Sequence, residues 1–224
     1  VVFNTPGANA NAVKELVLCA LFLSSRKVGA AIDWAKTLKG EGDAVGKLVE
    51  KGKGAFAGPE ILGKTLGVIG LGAIGALVAE GAKALGMSVI GYDPFVSEKE
   101  GIEVVSDVNE IYKRSDYISL HSPLNDSTRG MINADTLAIM KDGIRILNFA
   151  RGELVDSKSI IDALESGKAA AYVTDFPTDE QLGVDGVTAI PHLGASTPES
   201  EENCAVMAAV EVADYLEKGA IKNS

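Results

Sequence analysis

At 224 residues and 46% hydrophobic, the chain is long enough to close a full core around one large domain. A formal net charge of −10, with no run of Lys or Arg, excludes a phosphate-neutralising face, so no nucleic-acid partner is expected. Two cysteines inside helical patterns, Cys19 and Cys204, exclude a disulfide framework and a zinc site, and the longest apolar run, Leu16 to Leu23, is too short for a bilayer. The expectation is therefore a cytoplasmic protein with no metal, membrane or export signal.

The opening Val-Val-Phe-Asn reads as the end of a strand, so further chain is expected before it. Residues 11–28 predict a helix with Val13, Leu16, Val17, Ala20 and Leu21 on one stripe, and Leu18, Phe22 and Leu23 on the opposite side. Such a helix must be covered nearly all round, either as a central core helix or as one shared with a partner subunit. Residues 40–58, rich in Gly and Lys, predict a loop or arm lying over a surface.

Beyond Gly63, short apolar runs alternate with amphipathic stretches. Strands are predicted at 66–69, 88–92, 117–120, 144–148, 172–174 and 187–190, and helices near 74–85, 107–114, 133–140, 156–166 and 198–217. Asp156 is an expected N-cap, and Pro198 with Glu199 an expected first turn. Alternation over this spacing makes a doubly wound α/β domain: a parallel sheet with helices on both faces.

Directly after the first strand stands Gly70-Leu-Gly72-Ala-Ile-Gly75, opening a helix. Each glycine has a task in dinucleotide binding: a tight turn, close approach of backbone to a pyrophosphate, and close helix–strand packing. The free N–H groups of the helix start then face the phosphates. Asp93 ends the next strand, 18 residues after Gly75, where a carboxylate can accept from the adenosine ribose hydroxyls. Without Lys or Arg in the Pro-Phe-Val-Ser that follows, a 2′-phosphate would be repelled, which favours NAD over NADP.

Oxidising an alcohol by hydride transfer also needs a base for the hydroxyl proton and a cation for a substrate carboxylate. The only two histidines, His121 and His192, both follow strand ends, the edge where ligands bind in such sheets. Arg151 stands past another strand end and can pair bidentately with a carboxylate. Asp175, Asp179 and Glu180 follow the next strand, and one of them could hydrogen-bond a histidine and stabilise its imidazolium.

The glycine motif, Leu-His121-Ser-Pro-Leu with Thr128, Asn-Phe-Ala-Arg151-Gly-Glu-Leu-Val-Asp and Pro-His192-Leu-Gly-Ala-Ser-Thr occur in the order found in D-2-hydroxyacid dehydrogenases, which the chain resembles along essentially its whole length. The resemblance implies an NAD-binding Rossmann fold, His192 as acid–base, Arg151 on the substrate carboxylate and a Glu pairing with the histidine. Counting five residues from Asp175 gives Glu180, whereas aligning on Phe176-Pro177 gives Asp179; Glu180 keeps the residue type. Further implied cofactor contacts are Ala73 and Ile74 at the pyrophosphate; Thr5, His121, Ser122 and Thr128; Phe149, Ala150 and Asp175 near the nicotinamide; and Gly194 and Ala195. Asn4-Thr-Pro-Gly, Asp175-Phe-Pro-Thr and the ending Ile221-Lys-Asn-Ser resemble the phosphoglycerate dehydrogenase branch, which implies oxidation of 3-phosphoglycerate in serine biosynthesis. Other 2-hydroxyacids, or a non-catalytic NAD sensor of the corepressor type, are the alternatives.

A homodimer through the long first helix and the 40–58 arm is expected. The expected organisation is a cofactor domain over 1–195, with the helix and arm in 1–60, and a segment 196–224 leading back to a substrate domain not contained in these residues. A chain so divided is expected to bind cofactor but to turn over poorly alone.

Overall fold

The computed structural model describes residues 1–223. Seven strands, β1 Thr65–Ile69, β2 Ser88–Tyr92, β3 Glu103–Val104, β4 Tyr117–Leu120, β5 Ile144–Asn148, β6 Ala169–Thr174 and β7 Val187–Ala189, form one sheet in the order β3-β2-β1-β4-β5-β6-β7. Every pairing is parallel. The helices are α1 Ala10–Arg26, α2 Val28–Lys36, α3 Val45–Gly52, α4 Ala73–Ala84, α5 Val108–Arg114, α6 Ala134–Ile139, α7 Ser157–Glu165 and α8 Pro198–Lys218. The predicted doubly wound sheet is present.

Parallel strands bury both faces, so side chains alternate between two cores. Val68, Val89, Leu147 and Val173 pack with Val13, Val17 and Leu21 of α1 and Val78 and Ala82 of α4. Ile69, Ile90, Ile118, Ile146 and Tyr172 point to the other side, against Ile111 of α5, Leu137 of α6 and Ile160 of α7. The helices start where side chains can cap them: Asp156 accepts the Ser159 amide at 2.8 Å, and Thr197 accepts the Ser200 amide at 3.1 Å before Pro198.

Register determines the functional edge. Tyr92, Ile69, Leu120, Asn148, Thr174 and Ala189 are successive partners across the sheet, so the strands end in one row. The residues that follow them, Asp93, Gly70, His121, Phe149 and Asp175, therefore line one rim.

The N-terminal region differs from expectation in three ways. Val1–Phe3 are not a strand; the chain is instead tied down by the Asn4 amide donating to the Asn223 carbonyl at 2.8 Å and by Phe3 packing edge-on against Tyr215. The stretch 40–58 is not a loop but a helical arm, containing α3 between two 3₁₀ turns, with Trp34 of α2 packed on Phe56 at 5.3 Å. Neither α2 nor α3 buries a residue; their apolar positions, Val28 and Ile32 on α2 and Val45 and Val49 on α3, lie at the surface of this chain. Third, α1 is buried on one face only; Phe22 remains 43% exposed, so within this chain it is not a helix covered all round.

Candidate active site

The rim is built first by the β1–α4 turn. Gly70 has φ +97°, and a Cβ there would lie 2.6 Å from the His121 carbonyl oxygen. A Cβ at Gly75 would collide with the Gly70 carbonyl oxygen. Gly72 differs: its φ of −67° is open to any residue, and a Cβ would meet nothing within 4 Å. No contact among the described residues requires glycine at 72, whereas a phosphate approaching the start of α4 would. No side chain caps α4, so the first-turn amides of Ala73, Ile74 and Gly75 have no cap from the chain itself.

Asp93 secures this turn from the next strand. Its Oδ2 accepts the Leu71 amide and its Oδ1 the Phe95 amide, both at 2.8 Å. The same carboxylate lines a cleft of ≈ 460 Å³ with Tyr92, Phe95 and Val105. Phe95 is 94% exposed beside it, a flat apolar face at the cleft rim.

On the other side of Gly70, the His121 amide donates to the Ile69 carbonyl at 2.7 Å, and its ring Nε2 lies 2.8 Å from the Ser119 hydroxyl. Burial pushes the His121 imidazole down to about 4, so it is neutral at physiological pH. Ser122 is buried, with its hydroxyl 3.5 Å from the Ile69 carbonyl, and the Thr128 hydroxyl donates to the Pro123 carbonyl at 2.7 Å, fixing the loop after β4.

At the end of β5, fully buried Asn148 folds the turn that carries the arginine. Its amide nitrogen donates to the Arg151 carbonyl at 2.9 Å, and its oxygen accepts the Ala150 amide at 3.2 Å. Phe149 turns inward and Arg151 outward. The Arg151 guanidinium sits 5.9 Å from the centre of the Phe176 ring, and the His192 ring packs on the same phenyl at 4.4 Å. Phe176 thus gathers Arg151 and His192 around itself, a role the sequence offered no signal for beyond an aromatic at a strand end.

Neither Glu180 nor Asp179, the two alternatives for the histidine's acidic partner, forms an ion pair with it. Thr178 caps the 3₁₀ turn Asp179–Gln181, and buried Gln181 ties that turn to α7 through the Ser157 hydroxyl at 2.9 Å. Glu180 lines a cleft of ≈ 620 Å³ with Ser157, Lys158 and Phe176, while Asp179 is exposed; among the described residues, no carboxylate forms an ion pair with His192. Asp175, by contrast, is only 2% exposed, and neither carboxylate oxygen has a partner of full hydrogen-bond geometry, although the backbone amides of Gly194 and of Asp175 itself lie close enough to favour its charged form. Burial pushes its carboxyl upward against the opposing charges of His192 and Arg151. Gly194 is buried beside it, Ala195 is half-buried, and Thr5 is half-buried just ahead of α1.

Residues 18–194 match the family model for the NAD binding domain of D-isomer specific 2-hydroxyacid dehydrogenases. The chain belongs to this family. It is 39% identical over 226 residues to D-3-phosphoglycerate dehydrogenase of Methanocaldococcus jannaschii, covering 96% of this chain and 41% of that protein. Identity to hydroxypyruvate reductase of Thermotoga maritima is 41% over 214 residues, covering 92% and 66%. Among solved structures, a glyoxylate reductase from a Paecilomyces species superposes with a TM-score of 0.86 at 30% identity, covering 99% of this chain and 66% of that one. The NAD-bound 3-phosphoglycerate dehydrogenase of Entamoeba histolytica gives 0.79 at 28%, covering 100% and 67%. The chain therefore spans well under half the length of the M. jannaschii relative and about two thirds of the others.

Proposed function

We propose that this chain is the cofactor-binding and acid–base part of an NAD-dependent D-2-hydroxyacid dehydrogenase whose substrate is D-3-phosphoglycerate. The observation that carries the reading is the convergence on one sheet rim of a glycine turn with an open Gly72, the ribose-side carboxylate Asp93, and Arg151 with His192 on a common phenyl ring. The residues fit NAD: the α4 amides and Gly72 would face the pyrophosphate, Asp93 the ribose hydroxyls, and Phe149, Ala150 and Asp175 the nicotinamide end. NAD when bound supplies the hydride acceptor.

Arg151 would hold the substrate carboxylate, orienting the hydroxyl-bearing carbon. His192 would take the hydroxyl proton as the alcohol becomes a ketone and return it in the reverse direction, its exposed ring giving the proton a route to solvent. His121, neutral and held by Ser119, belongs on the cofactor side rather than at the proton transfer.

Phosphoglycerate as substrate is favoured by the several D-3-phosphoglycerate dehydrogenases among the relatives, at 35–39% identity; hydroxypyruvate is the nearest competitor. Residues 1–195 would form the cofactor domain, and 196–224 would lead to a substrate domain. A homodimer through α1, α2 and α3 is supported by exposed Phe22, Val28, Ile32 and Val49 on these elements. The test is NADH oxidation by the longest polypeptide its gene encodes, with 3-phosphohydroxypyruvate, hydroxypyruvate, glyoxylate and pyruvate. Preference for 3-phosphohydroxypyruvate supports the full reading; preference for another keto acid changes the substrate, and no turnover with any of them contradicts the enzyme.

A further inference from the structure

Ser119 places a hydroxyl, fully buried, in the central strand of the sheet. Its register partners, Val68 of β1 and Leu147 of β5, belong to the apolar core beneath α1 and α4. A hydroxyl shut away from water needs an acceptor for its proton. Among the described residues, the one hydrogen-bond partner of Ser119 Oγ is His121 Nε2, at 2.8 Å. The direction of that bond follows from burial. If the imidazole donated through Nε2–H, the Ser119 proton would be left in the core without an acceptor; with the hydroxyl donating, both atoms are satisfied. A ring nitrogen that accepts carries no proton, so a neutral His121 carries its proton on Nδ1. Burial pushes the imidazole down to about 4, which keeps the ring neutral at physiological pH. Nδ1 bonds to no group of the chain, and the buried side-chain atoms without partners belong to Ser115, Asp175 and Glu211, so this nitrogen is open to solvent. Side chains two apart on a strand share a face, which puts the His121 ring on the side of the sheet where α4 begins, with its own carbonyl against Gly70.

We propose that Ser119 is a positioning residue for the nucleotide: it fixes His121 as the Nδ1–H tautomer and thereby presents an uncharged N–H donor, beside the glycine turn, to an acceptor oxygen of the bound nucleotide. This rests on the reading of the rim as a dinucleotide site. Ser119 is buried behind the histidine and acts through it, without touching the ligand. Fixing the tautomer matters because a ring free to exchange its proton also offers a lone pair to the same oxygen, and two lone pairs repel. A donor set in place before the ligand arrives spares the cost of ordering it on binding.

Nitrogen NMR of labelled imidazoles reads the tautomer directly in the chain without nucleotide, and comparison with His192→Gln assigns the signals, because His121 and His192 are the only two histidines. Unmodified His121 should carry its proton on Nδ1. In Ser119→Ala the proton should move in part to Nε2, the position free imidazole prefers, and NADH should bind about 5-fold or more weakly than to the unmodified chain. Ser119→Thr keeps the hydroxyl and should keep both the tautomer and the affinity. An Nε2–H ring in the unmodified chain overturns the proposal without any variant. So does a Ser119→Ala chain of intact fold that binds NADH as tightly as the unmodified one. An Nδ1–H ring in a folded chain that binds no NADH defeats the nucleotide reading of the rim, and with it the ligand half of the proposal, while the tautomer assignment stands.

Discussion

Asp93 bonds the backbone of the turn it helps to form: one carboxylate oxygen holds the Leu71 amide in the centre of Gly70–Gly75, and the other holds Phe95 in its own loop. One side chain thereby couples the shape of the glycine turn to that of the loop after β2. Its removal should disturb both, and that makes it the most informative position on the rim.

The three glycines of the turn should behave differently. Gly72→Ala should change stability by less than about 1 kcal/mol, because the added methyl meets open space. It should nevertheless weaken NADH binding at least ~10-fold, about 1.4 kcal/mol. Gly75→Ala should instead cost about 2 kcal/mol or more in folding, since its methyl meets the Gly70 carbonyl. Urea denaturation alongside nucleotide titration separates the two; equal loss of stability in both variants would refute the assignment of Gly72 to the ligand.

Asn148 should be a stability residue with a functional consequence. Truncation to Ala leaves the Ala150 amide and the Arg151 carbonyl without their partner, at a cost of about 1–3 kcal/mol. Arg151→Ala, on an exposed side chain, should cost less than about 0.5 kcal/mol in folding. In an active enzyme it should raise KM for the hydroxyacid without changing NADH affinity. A matching loss of NADH affinity in Arg151→Ala would place the arginine at the cofactor instead.

His121 gives acid lability with a defined sign. Its folded imidazole is pushed down to about 4 from 6.5 by burial, so as pH falls between those values the unfolded chain takes up a proton that the folded chain refuses. Stability from this residue is complete above 6.5 and lost progressively down to about 4. The loss is at most about 3 kcal/mol, reduced because the ring keeps some solvent contact. Urea midpoints of the unmodified chain and His121→Gln at several pH values test this: the variant should lose less stability on acidification.

The arm predicts association. Helices α2 and α3 bury nothing within the chain, yet carry Val28, Ile32, Val45 and Val49 at its surface. Sedimentation should find a dimer at micromolar concentration, and Phe22→Asp with Ile32→Asp should shift it toward monomer with little change in the sheet. A monomer at all accessible concentrations would contradict the proposed dimer.

Legibility in the sequence followed burial. Strands β2, β4 and β5 agree to the residue with the apolar runs, because central parallel strands are buried on both faces. Strand β6 begins three residues earlier than read, where Ala169–Ala171 carry too little side chain to signal a strand. Two-residue β3 has no periodicity to detect. The helices of the arm are short and interrupted by Gly29, Gly40, Gly42, Gly46, Gly52 and Gly54, so their few apolar positions, such as Val45 and Val49, are outweighed in sequence by loop-like composition. At the rim, the glycine turn was readable because its positive-φ Gly70 and close-packed Gly75 admit no side chain. The burial of Asp175 was not: an acidic run after a strand ordinarily lies in solvent, and only its close approach to Gly194 reveals otherwise. Phe176 as the platform for Arg151 and His192 likewise needs three-dimensional contact.

Calorimetric titration of this chain with NADH and NADPH, comparing the unmodified protein with Asp93→Ala, tests the cofactor site most directly. Saturable NADH binding, NADPH weaker by at least ~10-fold, and loss of that preference in Asp93→Ala are the predicted results. Equal affinity for the two nucleotides, or no binding of either to a chain whose fold is intact, would contradict the account.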